Sequence, residues 1–390
     1  MAAPDPDQPL TLLGGLTPAE FLRDYWQQRP LLVRNAIPGF ENPLDPNDLA
    51  GLATDPEAPS RIVSGHVARG DWDVEYGPFD AERFAQLPGA DWTLLVTDVE
   101  RFWPDGRDFL ARFDFVPRWR RDDLMISYAP HGGSVGPHVD QYDVFLFQAA
   151  GHRRWQIQDP PGLLECEEDL PIAVLRDFRP NESQDLGPGD LLYLPPNLPH
   201  YGVALDDHCM TWSVGFRAPA TLDLLTGFLE ERANLIGDQA RFEDPGRHPA
   251  LHPGEIPAAD RHALRDSLRA LLAATDDDLD AYLGRFLSRP GGTLDLAPDD
   301  PQLADTVEPT VRFEFHPGVR RAWFQGSEGP VLCIAGHDYA VPHARPEVLE
   351  TLCHVSSLSV AEWQEAVPQI RSLLRDGLET GWLAPAEPDI

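Results

Sequence analysis

Gly187-Pro188-Gly189-Asp190-Leu191-Leu192-Tyr193-Leu194-Pro195-Pro196-Asn197-Leu198-Pro199-His200 holds a turn, a short apolar run and a proline bend that ends on a histidine. The apolar run is too short for a helix, and the Gly/Pro punctuation on both sides predicts a buried strand. About sixty residues upstream, Gly136-Pro137-His138-Val139-Asp140 repeats the Gly-Pro punctuation and carries two ligand-type side chains at i and i+2. Such positions face the same way on a strand, so the spacing predicts that His138 and Asp140 point together.

The surrounding segments read as further short strands: Trp92 to Val96, Leu124 to Tyr128, Val144 to Phe147, Trp155 to Ile157 and Met210 to Phe216. Short strands at this spacing, separated by turn residues, predict a sandwich or barrel; with mixed helices the class is α+β, built on a double-stranded β-helix (jelly roll) of the cupin type. Upstream, Thr17-Pro18-Ala19-Glu20 predicts a capped helix start, with Thr17 as N-cap and Glu20 completing a capping box. An apolar stripe of Phe21, Leu22, Tyr25 and Trp26 follows, and Leu31-Leu32-Val33 reads as a strand.

From Thr221 to about Leu287 the period becomes helical, with stripes through Leu222, Leu225, Phe228 and Leu229, through Leu264, Leu268, Leu271 and Leu272, and through Leu279, Tyr282, Leu283 and Phe286. Amphipathic helices following a β-core suit an oligomerisation surface. Arg289 to Pro301 reads as a linker. Beyond it, strands at Val311 to Phe315 and Val331 to Ile334 alternate with helices at Pro346 to Cys353 and Val360 to Glu379, a winged-helix pattern. The expected domains are therefore a catalytic β-helix domain over 1–217, a helical dimerisation domain over 218–290 and a winged-helix-like domain over 302–390.

His138, Asp140 and His200 together form two imidazoles and one carboxylate able to occupy one face of a metal, leaving positions open for a bidentate co-substrate and oxygen. That is the ligand set of non-haem iron(II) oxygenases. Gly151-His152-Arg153-Arg154-Trp155-Gln156-Ile157 offers a cation for the distal carboxylate of 2-oxoglutarate. Alternation selects Arg153, which shares a face with Trp155 and Ile157, since an arginine on the core face is costly without an anion. Asp123, Met125 and Ser127 share one face of the preceding strand, where a carboxylate beside a thioether suits a cationic side chain. On the residues alone, a capped turn entering a strand is the better account of Asp123. Tyr142, two residues past Asp140, falls near the mouth by alternation. His131 and His208 lack comparable framing and are left outside the site.

The 390-residue chain has 31 basic and 64 acidic residues, a net charge of −33, and no lysine. Such a surface repels nucleic acid and attracts cationic partners; the expected source of most of the excess is adaptation to high salt combined with a GC-rich codon bias, with part of it free to steer a basic substrate. Cys166, Cys209, Cys333 and Cys353 are too dispersed for a disulfide framework or zinc knuckle. No apolar run is long enough for a membrane span, and the acidic start MAAPDPDQPL has no signal-peptide order, so a cytoplasmic protein is expected.

These motifs, with Ser213-Val214-Gly215-Phe216-Arg217 and Tyr25-Trp26-Gln27-Gln28-Arg29-Pro30-Leu31, resemble the JmjC-type (Jumonji, cupin) ribosomal oxygenases, above all the bacterial arginine hydroxylase branch. The resemblance implies an Fe(II)- and 2-oxoglutarate-dependent dioxygenase that uses O2 to hydroxylate C3 of an arginine in the sixteenth protein of the large ribosomal subunit, working as a homodimer. It implies His138, Asp140 and His200 as iron ligands, Arg153 and Ser127 as co-substrate residues, and Asp123, Met125 and Tyr142 as the substrate-arginine pocket. Ala129 departs from the pattern, standing where family members can carry a serine near the co-substrate carboxylate. Alternatives are the same fold acting on a histidine or other residue, or a non-catalytic cupin and winged-helix regulator. Glu347 and Glu350 on the would-be recognition helix argue against DNA binding.

Overall fold

The computed structural model describes residues 4–236, 241–249, 252–292 and 294–386. It divides into two compact units, Met1–Ala218 and Pro219–Ile390.

The first unit has strands β1 (Leu31–Val33), β2 (Ser60–Ser64), β3 (Asp73–Tyr76), β4 (Trp92–Val96), β5 (Arg121–Ala129), β6 (Asp143–Ala150), β7 (Arg153–Ile157), β8 (Glu182–Leu186), β9 (Leu191–Leu194), β10 (His200–Ala204) and β11 (Cys209–Phe216). An eight-stranded sheet runs β1-β9-β6-β11-β5-β4-β2-β3, and a three-stranded sheet runs β10-β7-β8. All pairings are antiparallel. This is the jelly roll expected from the strand pattern.

Alternation along each strand separates two cores. Phe145 and Phe147 of β6, Tyr193 of β9 and Trp212 of β11 turn outward into an aromatic layer with Phe21 and Phe109. Val144, Leu146, Leu192 and Leu194 turn inward, against Trp155 and Ile157 of the smaller sheet. The outer layer is rich in edge-to-face pairs, such as Phe109 with Trp212 at 4.8 Å and Phe21 with Tyr193 at 5.0 Å. Each buried ring contributes roughly 1.5–3 kcal/mol, so this layer is a major anchor for the larger sheet.

The helix Pro18–Asp24 starts as its sequence predicts: Glu20 N–H donates to Thr17 Oγ1 at 3.1 Å, and Thr17 N–H to Glu20 Oε2 at 2.9 Å. It ends before the apolar stripe does. Trp26 instead stacks on Tyr193 at 5.8 Å, and Gln27, at φ 58°, donates its N–H to Tyr193 Oη at 2.7 Å. Tyr193 in turn donates to the fully buried Asp143 at 2.6 Å, which also accepts from Gln27 and Arg120. This satisfied network ties the N-terminal segment to β6 and β9.

The second unit opens with helices Thr221–Asn234, Ala258–Leu272 and Asp276–Ser288. Tyr282 Oη donates to Leu224 O at 2.6 Å, joining the third helix to the first. Strands β12 (Arg312–Phe315), β13 (Arg321–Gly326), β14 (Gly329–Ile334), β15 (His337–Ala340), β16 (Ser357–Ser359) and β17 (Leu383–Pro385) form two three-stranded sheets, β16-β12-β17 and β13-β14-β15. Gly284 permits close packing of Asp276–Ser288 on the second sheet, since a Cβ there would meet Cys333 Sγ at 2.6 Å. One correction concerns Val360 to Glu379, which is not a single helix. It divides into Val360–Trp363 and Ile370–Thr380, because Pro368 lacks the N–H that a continuous helix needs. Residues 387–390 of the expected C-terminal domain lie outside the described residues. No described helix is long and apolar enough to cross a membrane.

Candidate metal centre

The expectation that His138 and Asp140 sit on a regular strand is not met. The segment pairs through a single bridge, His138 with His200. Gly136, at φ 79°, turns the chain, and Pro137 has no N–H to extend a ladder. The bridge nevertheless makes both of its hydrogen bonds, His138 N–H to His200 O and His200 N–H to His138 O, each 3.0 Å. The proline bend adds a third tie: Asn197, at φ 61°, donates its N–H to Asp140 O at 2.7 Å. Direct opposition of two backbones thus does what strand parity was expected to do.

The imidazole centroids lie 4.3 Å apart. Asp140 approaches His138 Nε2 at 4.0 Å and His200 Nε2 at 3.6 Å, and one ligand atom from each of the three residues falls within 4.8 Å of the others. Among the described residues this is the one such grouping, and His131 and His208 are not part of it. Each histidine places Nδ1 2.9 Å from the carbonyl two residues before it, Gly136 O or Leu198 O. A carbonyl only accepts, so Nδ1 carries the proton and Nε2 presents its lone pair. Burial holds the His200 imidazole down at about 4, which keeps it neutral at physiological pH.

Arg153 is 4% exposed on the inward face of β7, with Trp155 and Ile157, while Arg154 faces out and pairs with Asp185. Arg153 Nε and Nη2 are buried without a hydrogen-bond partner. Ser127, also buried, donates weakly to Thr211 O at 3.4 Å. Ala129 packs with Ala204 and Cys209, an apolar contact that supplies no hydroxyl.

Asp123 is partly buried, and its Oδ2 has no partner. Burial, with Glu100 next in effect, pushes its carboxyl well above the usual carboxylate range. Tyr142, 39% exposed, hydrogen-bonds Asp140. A Cβ on Gly215 would lie 3.3 Å from Asp123 Oδ1 and 3.7 Å from the Tyr142 ring, so this glycine leaves open the space between the two. Met125 packs against the cluster of Val63, Trp72, Leu95 and Val174.

Sequence reasoning missed three features here. Glu100, from outside the strand pattern, accepts from Leu124 N–H at 2.9 Å, and burial pushes it up to about 7. Thr93 Oγ1 is buried without a partner on β4, a position readable only as the polar exception in an apolar strand. The third is the indole N–H of Trp155, likewise buried and unpartnered.

An antiparallel jelly roll enclosing a two-histidine, one-carboxylate cluster and a buried arginine defines a JmjC-type fold, and residues 108–224 match the JmjC domain family. The chain belongs to the JmjC-type ribosomal oxygenases, on the branch of the bacterial uL16 3-hydroxylases. It is 37% identical over 287 residues to the ribosomal protein uL16 3-hydroxylase of Escherichia coli K12, covering 72% of this chain and 74% of that protein. To a probable ribosomal oxygenase of Haemophilus influenzae it is 40% identical over 225 residues, 54% of this chain and 52% of the relative. The structure of the E. coli ribosomal oxygenase YcfD in complex with cobalt and 2-oxoglutarate superimposes with a TM-score of 0.75 at 31% identity, covering 95% of this chain and 99% of that one.

Proposed function

We propose that this protein is an Fe(II)- and 2-oxoglutarate-dependent hydroxylase that oxidises C3 of an arginine in ribosomal protein uL16. His138 and His200, through Nε2, and Asp140 would hold the iron; two neutral imidazoles and a carboxylate suit that ion, and three protein ligands leave positions open. When bound, the metal supplies oxygen activation coupled to oxidation of 2-oxoglutarate.

The chain's own residues do the rest. The observation that carries the reading is Arg153, a buried guanidinium with two unpaired N–H groups on the same inward face as the cluster. A carboxylate offsets the cost of burying it and anchors 2-oxoglutarate, with Ser127 alongside. Asp123 offers an unpartnered carboxyl oxygen, Oδ2, for a cation, and Met125 and Tyr142 would flank the apolar stem of the substrate arginine. Such a clamp holds the target carbon in register, the main contribution a protein makes to this chemistry.

The two helices with exposed leucines, Leu222, Leu225 and Leu229 on one and Leu264, Leu268 and Leu272 on the other, are the proposed homodimer surface. The strands and helices from residue 302 onward are the proposed winged-helix-like module, and the acidic surface suits a basic ribosomal protein better than DNA. The test is incubation with iron(II), 2-oxoglutarate and intact uL16, followed by peptide mass spectrometry. A single arginine gaining one oxygen is expected. Oxygen on a histidine, or on no residue despite metal and 2-oxoglutarate binding, would overturn the substrate assignment.

A further inference from the structure

On the inward face of β7, Trp155 follows Arg153 by two residues and lies opposite Gly202 of β10. A Cβ on Gly202 would come within 2.6 Å of the six-membered ring of Trp155, so the indole fills the slot which that glycine leaves between His200 and Ala204. From there the ring reaches both functional groups: its centroid is 5.8 Å from the His200 imidazole and 5.7 Å from the Arg153 guanidinium carbon. Trp155 is 5% exposed, and its Nε1–H has no hydrogen-bond partner. Buried indole N–H groups normally find an acceptor. Here the neighbouring polar group, Arg153, is itself a donor with two unpaired nitrogens, Nε and Nη2. Three buried donor nitrogens, Arg153 Nε and Nη2 and Trp155 Nε1, thus lack an acceptor, as a site awaiting an anion would.

Resting on the functional reading above, we infer that Trp155 is a co-substrate-binding residue whose indole N–H donates to the carboxylate held by Arg153. A carboxylate has lone pairs enough for two guanidinium N–H groups and a third donor. The ring also forms the wall between the metal cluster and the arginine, against which the methylene carbons of 2-oxoglutarate would lie. The site therefore recruits the indole for a contact that Ala129 cannot make.

Trp155→Phe keeps an aromatic wall and removes the donor. Calorimetry on the full chain, loaded anaerobically with iron(II) and titrated with 2-oxoglutarate, should show a Kd raised roughly tenfold or more, as for loss of a hydrogen bond to a charged group. The affinity for iron(II) itself and the Tm should stay at wild-type values. Independently, one of the ten tryptophan indole N–H resonances of the zinc-loaded wild-type protein should shift downfield when 2-oxoglutarate is added. That signal should be the one missing from Trp155→Phe. A variant that binds 2-oxoglutarate as tightly as wild type overturns the assignment. So does a loss of iron(II) affinity and Tm in parallel, which marks a merely structural residue. If the variant does not fold, a wild-type spectrum in which no indole resonance moves overturns it as well. Wild-type protein that binds no 2-oxoglutarate at all would overturn the functional reading, and this inference with it.

Discussion

Replacing Arg153 with methionine removes a guanidinium buried to 4% exposure with two unpaired N–H groups, and leaves an apolar chain of similar length. Losing one partner of a buried charge pair costs about 3–5 kcal/mol. At 1.4 kcal/mol per power of ten, 2-oxoglutarate should bind roughly two to three and a half powers of ten more weakly. The free protein should respond in the opposite direction. An uncompensated buried charge destabilises it, so the variant without ligand should melt at or above the wild-type temperature. The assay is a thermal melt of the metal-loaded protein with and without 2-oxoglutarate. At a hundredfold excess over Kd, a ligand adds about 2.7 kcal/mol, which for a unit of this size is roughly 5–10 °C. Wild type should show that shift and Arg153→Met should show at most about 1–2 °C at the same concentration. A variant that keeps the full shift would refute the placement of the co-substrate anion at Arg153. A free variant that melts well below wild type would refute the premise that its charge is unpaired.

Asp123→Asn should lower kcat/KM for the uL16 substrate by roughly a hundredfold or more while leaving 2-oxoglutarate affinity unchanged; equal loss of both would place Asp123 elsewhere. Burial, then the neighbouring Glu100, Asp122 and Asp98, raises the Asp123 carboxyl, and burial pushes Glu100 up to about 7, so Glu100 is partly protonated at neutral pH in the free enzyme. The ionised form of Glu100 adds to the attraction for the substrate cation, so KM for the basic substrate should fall between about pH 6 and about pH 8. The sign for stability is reversed. A carboxyl with a raised folded-state pKa stabilises the fold at low pH, and that contribution is lost as pH rises through the folded value, so Asp123→Asn should flatten the fall in Tm with rising pH. His200→Ala should abolish the stabilisation of the protein by added cobalt(II), measured as a Tm shift; a retained shift would move the metal to other ligands. With a net charge of −33, Tm should rise as salt shortens the screening length from about 10 Å to about 3 Å, and a falling Tm would argue against high-salt adaptation.

Much of the first unit was legible in the sequence because its information is local and periodic. The capping box of Thr17 and Glu20, the strand Leu191–Leu194 and the inward parity of Arg153 all follow from spacing of one to four residues, and the structure has them as read. Val360 to Glu379 misled because an apolar helical period runs across Pro368, and the periodicity outweighed a break that one missing N–H enforces. The outer aromatic layer was visible only as composition, since which rings meet depends on which strands pair.

The sequence alone determined which side chains bear chemistry: two imidazoles, a carboxylate and an arginine, each framed by turn residues that limit where the chain can go. Only the tertiary structure decided how they meet. His138 and Asp140 converge on His200 not through a shared strand but through one reciprocal pair of backbone hydrogen bonds between segments about sixty residues apart. Tertiary packing also left Arg153 Nε and Nη2, Trp155 Nε1 and Asp123 Oδ2 without partners. That depends on what stands opposite each residue, such as Gly202 facing Trp155, and no pattern along a single strand specifies its neighbour.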